Sequence, residues 1–104
     1  MTAYFIVRAQ VVDPAVKDDF DRWYRDVHQP DALKGFNARR AWRGWSTVDA
    51  SVHHACYEFD GMAQAQAKQS SGALKRLVAE FDRVWGGKVT RSRDFVEVIQ
   101  TVGA

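Results

Sequence analysis

One cysteine, two prolines and two methionines among 104 residues leave this chain little covalent chemistry and few helix breakers. A lone thiol, Cys56, excludes an intrachain disulfide. Set between Ala55 and Tyr57, it reads as an inert strand thiol suited to a reducing compartment, and a cytoplasmic location is expected. No run approaches the ~20 apolar residues that cross a bilayer. The first residues lack the basic segment and apolar core of a secretory leader, so an unexported protein with no membrane partner is expected. Charge of one sign is equally scarce: fifteen Lys and Arg against thirteen Asp and Glu leave +2. That excess is too small to drive nucleic-acid binding by counterion release. No HxH, HxxxH or CxxC spacing occurs. The adjacent pair His53 and His54 points to opposite faces of any strand, so no metal site is expected.

Aromatic rings are what the chain has in plenty: four Trp, three Tyr and six Phe. They concentrate in the stretch Phe20-Asp-Arg-Trp-Tyr-Arg-Asp-Val-His-Gln-Pro-Asp-Ala-Leu-Lys-Gly-Phe36. At about 100° per residue, Val16, Phe20, Trp23 and Val27 share one stripe of a helix with Tyr24 on its flank. His28 lies one turn after Tyr24, just beyond the stripe's edge. A tyrosine and a histidine four apart are neighbours on a helix, here where buried surface meets solvent and a pocket rim would form.

Along the chain, Ala3, Phe5, Val7, Ala9 and Val11 form the apolar face of a strand over 3–12, with Tyr4, Ile6, Arg8, Gln10 and Val12 on the other. Asp13-Pro14 caps and starts a helix, and Asp18 and Asp19 suit its dipole. The helix is predicted to stop near His28, because Pro30 pushes Gln29 out of the α region. A short turn over 31–35 closes on Gly35. Strands over 36–47 and 53–60 form a hairpin. A helical region from Met62 to about Gln69 breaks at Ser70-Ser71-Gly72 and resumes with the stripe Leu74, Leu77, Val78, Phe81 and Trp85 until Gly86-Gly87. A last strand is predicted over 94–102. Its near-continuous apolar character implies burial on both faces, and hence a partner for the open side of the sheet.

The order strand, helix, strand, strand, helix, strand predicts one α+β domain over 1–104. This is a ferredoxin-like βαββαβ fold with a four-stranded antiparallel sheet and two helices on one face. A second copy packed sheet to sheet covers the open side most economically, so a homodimer is expected.

Phe20-x-x-Trp23-Tyr24-x-x-x-His28-x-Pro30-Asp31-x-Leu33, followed by Gly35-Phe36 and Ala38-Arg39-Arg40, resembles the signature of the dimeric α+β barrel proteins, in particular their EthD-like branch. Tyr57-Glu58-Phe59-Asp60, Phe81-Asp82-x-x-Trp85 and Phe95-Val96-Glu97-Val98 resemble the same branch. The resemblance implies a cleft between the first helix and the sheet, with His28 near its mouth and histidine and tyrosine side chains acting there as acid and base. It does not choose an activity. The superfamily holds cofactor-free monooxygenases, cyclases, isomerases, haem-dependent enzymes and members without a known role.

Candidate site residues follow. His28 suits a general base, or alternatively a helix C-terminal residue bonding the last carbonyls. Tyr24 suits a donor to a substrate oxygen, or a ring at the core margin with a wet hydroxyl. Arg8 and Arg40 could orient an anionic or phenolic ligand, although Arg40 has Glu58 or Glu97 as ion-pair partners across the sheet. Trp42 and Tyr57 could wall an aromatic pocket or pack the core, as could Trp45. The Arg39, Arg40, Arg43 cluster puts Arg39 and Arg43 on one face and Arg40 with Trp42 on the other. Three readings remain open. One is a cofactor-free isomerase, cyclase or monooxygenase acting on a small aromatic or enolic molecule by His/Tyr proton transfer. The second is a non-catalytic binding or structural module with a side-chain-filled cleft. The third is a haem binder using His28 or His53.

Overall fold

The alternation of the first strand survives folding intact. In the computed structural model, which describes residues 1–68 and 71–103, strand β1 (Ala3–Val11) buries Ala3, Phe5, Ala9 and Val11 on one side. It pairs with β3 (Val52–Phe59) and β4 (Val89–Glu97), and β2 (Arg40–Trp45) pairs with β3. The sheet is antiparallel throughout, in the order β2-β3-β1-β4. This is the ferredoxin-like α+β arrangement expected from the element order.

Asp13 caps the first helical stretch as predicted, its Oδ1 accepting from the Ala15 N–H at 3.0 Å with Pro14 in the first turn. After the 3₁₀ turn Pro14–Val16 come α1 (Lys17–Trp23), a π turn over Tyr24–His28 and α2 (Gln29–Phe36). The predicted stop near His28 is therefore wrong. Gln29 is helical, with φ −69° and ψ −42°, and the chain runs on through Pro30. A proline inside an α-helix lacks an N–H and presses its ring on the carbonyl four residues back. The wider i→i+5 turn just ahead of it accommodates that conflict without breaking the helix.

Gly35 is not the cap either. Helix α2 ends on Asn37, whose φ of 52° is the left-handed conformation that asparagine tolerates. Gly35 lies inside α2, where an added Cβ would approach Ala73 Cβ to 3.2 Å, and it allows α2 to lie close on α4 (Gly72–Trp85). Before α4 comes α3 (Met62–Ala67). The predicted break falls partly on Gln69 and Ser70, outside the described residues, but Ser71 caps α4 by accepting from the Leu74 N–H. Leu77, Phe81 and Trp85 are buried along α4 as its stripe requires.

The last strand starts five residues earlier than predicted. Val11 faces Val89 and Ala3 faces Glu97, so β4 is over before Val98. It is a polar strand, and its apolar continuation lies beyond it, with Ile99 and Val102 exposed. The final strand is therefore not apolar on both faces, contrary to expectation. What the open side of the sheet does present is Ile6, Trp42 and Val96, with Trp42 54% exposed. No helix among the described residues is long and apolar enough to cross a membrane.

Candidate active site

The π turn determines which residues face the core. Phe20, Tyr24, His28, Ala32 and Phe36 are buried, one every four residues, whereas Val27, placed on the buried stripe by α periodicity, is 48% exposed. An i→i+5 turn holds about one residue more than an α turn, so side chains four apart come to lie one above the other. His28, expected at a rim, is only 9% exposed. Its ring stacks on Trp23 at a centroid distance of 4.6 Å and meets Tyr24 edge-on at 4.8 Å and Phe81 at 5.7 Å.

His28 lines a pocket between the first helical stretch, α4 and the sheet. Tyr24 and Phe36 come from the helical stretch, Leu74, Leu77, Val78 and Phe81 from α4, and Phe5, Val7, Tyr57, Arg91 and Arg93 from the sheet. The free interior is about 30 Å³, room for roughly one water. His28 Nδ1 is buried and has no hydrogen-bond partner among the described residues. Leaving such an atom unmatched costs about 1–3 kcal/mol, and among the described residues His53 Nδ1 and Trp85 Nε1 are buried without a partner in the same way. Burial, and after it the Arg91 guanidinium, lowers the His28 pKa to about 4, against the weaker opposing pull of Asp31 and Glu80. The imidazole is therefore neutral at pH 7.

The two tyrosines are fully enclosed. Burial raises Tyr24 to about 12 and holds Tyr57 well above the ordinary value of 10. Tyr57 offsets part of the rise at Tyr24, whereas Tyr24 adds to the rise at Tyr57 and Gln29 offsets part of it. Gln29 Nε2 also donates to the Trp42 carbonyl at 2.9 Å, tying the end of the π turn to the edge strand. Arg91 completes the wall. Its guanidinium lies 4.0 Å over the Phe81 ring and reaches Asp82 at 3.0 Å on the solvent side.

A second buried histidine stands behind this pocket. His53 is fully enclosed, with its ring 4.5 Å from that of Tyr24 and 5.4 Å from that of Phe20. Its Nε2 lies 3.3 Å from Arg43 Nη1. Arginine can only donate, so this nitrogen carries the lone pair and the proton sits on Nδ1. Arg43 in turn donates to Asp21 at 2.7 Å, and Trp45 Nε1 donates to the same carboxylate at 2.8 Å. The Arg43 bond is the larger cause, and the Trp45 bond the next, of the lowered Asp21 pKa. Burial and Arg43 lower His53 to about 4 as well. His54 faces the other side of the sheet, as strand alternation required.

The sequence candidates thus divide between two faces. Tyr24, His28 and Tyr57 meet in the pocket. Arg8, Arg40 and Trp42 lie on the opposite, open face, where Arg40 pairs with Glu58 at 3.2 Å and Glu58 accepts from the Tyr4 hydroxyl at 2.9 Å. Trp45 packs on the helix side against Phe20 and His53. Arg91 and Arg93 were missed because the final strand was placed too late. The signal was the alternation Val89, Arg91, Arg93, Phe95, in which arginine stems occupy inward positions. A porphyrin does not fit this arrangement: His28 opens on about 30 Å³ and His53 is enclosed with Nε2 engaged. Among the described residues, no group of three or more His, Cys, Asp or Glu could hold a metal ion.

With this geometry the chain superposes on several crystal structures over nearly its whole length. An ethyl tert-butyl ether D (EthD) family protein from Bacillus halodurans C-125 matches with a TM-score of 0.73 and 17% identity, over 95% of this chain and 100% of that one. The fold is that of the EthD-like α+β barrel proteins. HapK from Hahella chejuensis matches with a TM-score of 0.71 and 16% identity, over 98% of this chain and 97% of that one. SnoaB from Streptomyces nogalater, a cofactor-independent oxygenase crystallised as the N63A mutant, matches with a TM-score of 0.69 and 10% identity, over 99% and 98%. No family model and no curated protein matches the sequence. At these identities the likeness is one of fold.

Proposed function

We propose that the pocket binds a small, flat, enolic or phenolic molecule and moves a proton on it without a cofactor. The observation that carries this reading is the unpartnered Nδ1 of a neutral His28 on the wall of an aromatic pocket that also holds Tyr24 and Arg91. Neutral imidazole is in the state needed to accept a proton from a C–H beside a carbonyl or from a phenolic O–H. The electron pair left behind passes to the substrate oxygen, where the Tyr24 hydroxyl donates and the Arg91 charge stabilises the oxyanion. The imidazolium, disfavoured by burial on its own, is stabilised by the anion it has just created. The enolate then takes the proton back from His28 at another carbon; or it adds to a carbonyl carbon of the same molecule, whose oxygen receives the proton; or it is oxidised by dioxygen, which is reduced to a carbon-bound hydroperoxide that receives the proton. SnoaB, a cofactor-independent oxygenase on the same fold, lends support to chemistry of this class. Entry of a substrate requires the half-buried Leu74 and Val78 of α4 to turn aside. On the other side of the sheet, a second copy of the chain covers Ile6, Trp42 and Val96.

The test is deuterium exchange at the central carbon of acetylacetone in D₂O. Wild-type protein is expected to accelerate it, and His28→Ala to lose roughly 10²–10⁴-fold of the acceleration. Equal rates for the two proteins would remove His28 from the mechanism. The 30 Å³ interior supports a second reading, a cleft filled by its own side chains. That reading expects no acceleration and no saturable uptake of 2-naphthol, which would otherwise change the fluorescence of Trp23, stacked on His28.

A further inference from the structure

We propose that Pro30 is a positioning residue: the wide turn it favours over Tyr24–His28 places the His28 ring, in place of Val27, on the pocket wall. This rests on the reading of His28 as the proton-transfer group, but its geometry stands apart from any activity. In an uninterrupted α-helix the stripe through Phe20 and Trp23 continues to Val27, and His28 lies at its edge. In the structure the order is reversed, with Val27 48% exposed and His28 9% exposed. The change occurs where the Gln29 N–H bonds to the Tyr24 carbonyl, five residues back.

Proline explains why the widening falls there. Its nitrogen cannot donate to the carbonyl of Asp26, and its ring would crowd that carbonyl in an α turn. An i→i+5 turn directly before the proline relieves the crowding while α2 continues beyond it. Helix α2 is meanwhile held in place by the Gln29 side chain on the Trp42 carbonyl, by Asp31 on Arg76 at 2.9 Å and by Gly35 against Ala73. The extra residue is accommodated between Phe20 and α2, and its consequence is the exchange of Val27 for His28. A motif read as His-x-Pro is thus one device: the proline sets the turn and the histidine is what the turn presents.

The experiment is NMR titration of the imidazole C2 proton, which needs no substrate and so separates this proposal from the proposed reaction. In wild type His28 is expected to titrate at about 4. In Pro30→Ala it is expected to move up by at least about one unit toward the ordinary 6.5, as the α register returns the ring to the rim. A His28 that still titrates near 4 in a folded Pro30→Ala protein overturns the proposal. Should that variant fail to fold, the exchange Val27→His with His28→Val, keeping Pro30, decides. The histidine at position 27 is then expected to titrate as an exposed imidazole, and a strongly lowered value there would mean that the proline-bound turn does not select which side chain faces in.

Discussion

Between pH 6.5 and pH 4 the protein is expected to lose roughly 3 kcal/mol of folding stability at each of His28 and His53. Both are neutral and enclosed in the folded chain, with pKa values lowered to about 4, chiefly by burial. In the unfolded chain each titrates near 6.5. Over this window the unfolded state binds protons that the native state refuses, so stability is fully present above pH 6.5 and falls as the pH drops toward 4. The lowered carboxylates act elsewhere: Asp21 and Glu58 have ordinary values of 3.8 and 4.5 and lose their contributions only at the acid end. Against a total of about 5–15 kcal/mol for a domain of this size, the two histidines alone bring the chain close to acid unfolding. Urea titrations at pH 7, 5.5 and 4.5 measure the effect. His53→Gln, which keeps an acceptor for Arg43, is expected to flatten the slope by about half. A wild-type stability unchanged down to pH 4.5 would mean that the two imidazoles are solvated.

Phe20→Ala is expected to cost about 3–5 kcal/mol. The Phe20 side chain is fully buried, and its ring lies within 5.4 to 6.5 Å of Trp23, Tyr24, Trp45, His53, Phe81 and Trp85. Among the described residues no other ring joins the first helix, α4 and the sheet in this way, so its removal leaves a cavity that three rigid elements cannot close. Thermal unfolding measures the loss, and Phe20→Leu, which refills most of the volume, is expected to recover the larger part. A change below about 1 kcal/mol for Phe20→Ala would show that the cluster collapses onto itself.

Local signals decided how much of this could be read from the sequence. The alternation in β1, the Asp13-Pro14 start and the α4 stripe are each carried by residues whose chemistry acts within a turn or a strand, and all three are present. The division of Arg40 and Trp42 from Arg43 followed from strand alternation alone. The failures have a common origin in context beyond the local pattern. Pro30 reads as a stop, because a neighbouring widened turn cannot be seen in the periodicity. For the same reason His28 was placed at a rim and Val27 inside. Hydrophobicity draws the final strand to 94–102, whereas pairing with β1 starts at Val89 and brings two arginines to the inner face. Gly35 reads as a helix end because its actual role, the close approach to Ala73, depends on a helix far along the sequence.

On the proposed reading His28 is an enclosed, neutral imidazole poised to meet a ligand, a state that its titration by proton NMR reads without a substrate assay. His28→Gln supplies the assignment, and the titration is run with and without 2-naphthol or acetylacetone. A pKa of about 4 is expected in the free protein, rising when one of these molecules binds, because the anion formed on proton transfer favours the imidazolium. A His28 that titrates near 6.5 and is indifferent to every added phenol and β-diketone would contradict both its enclosure and its role.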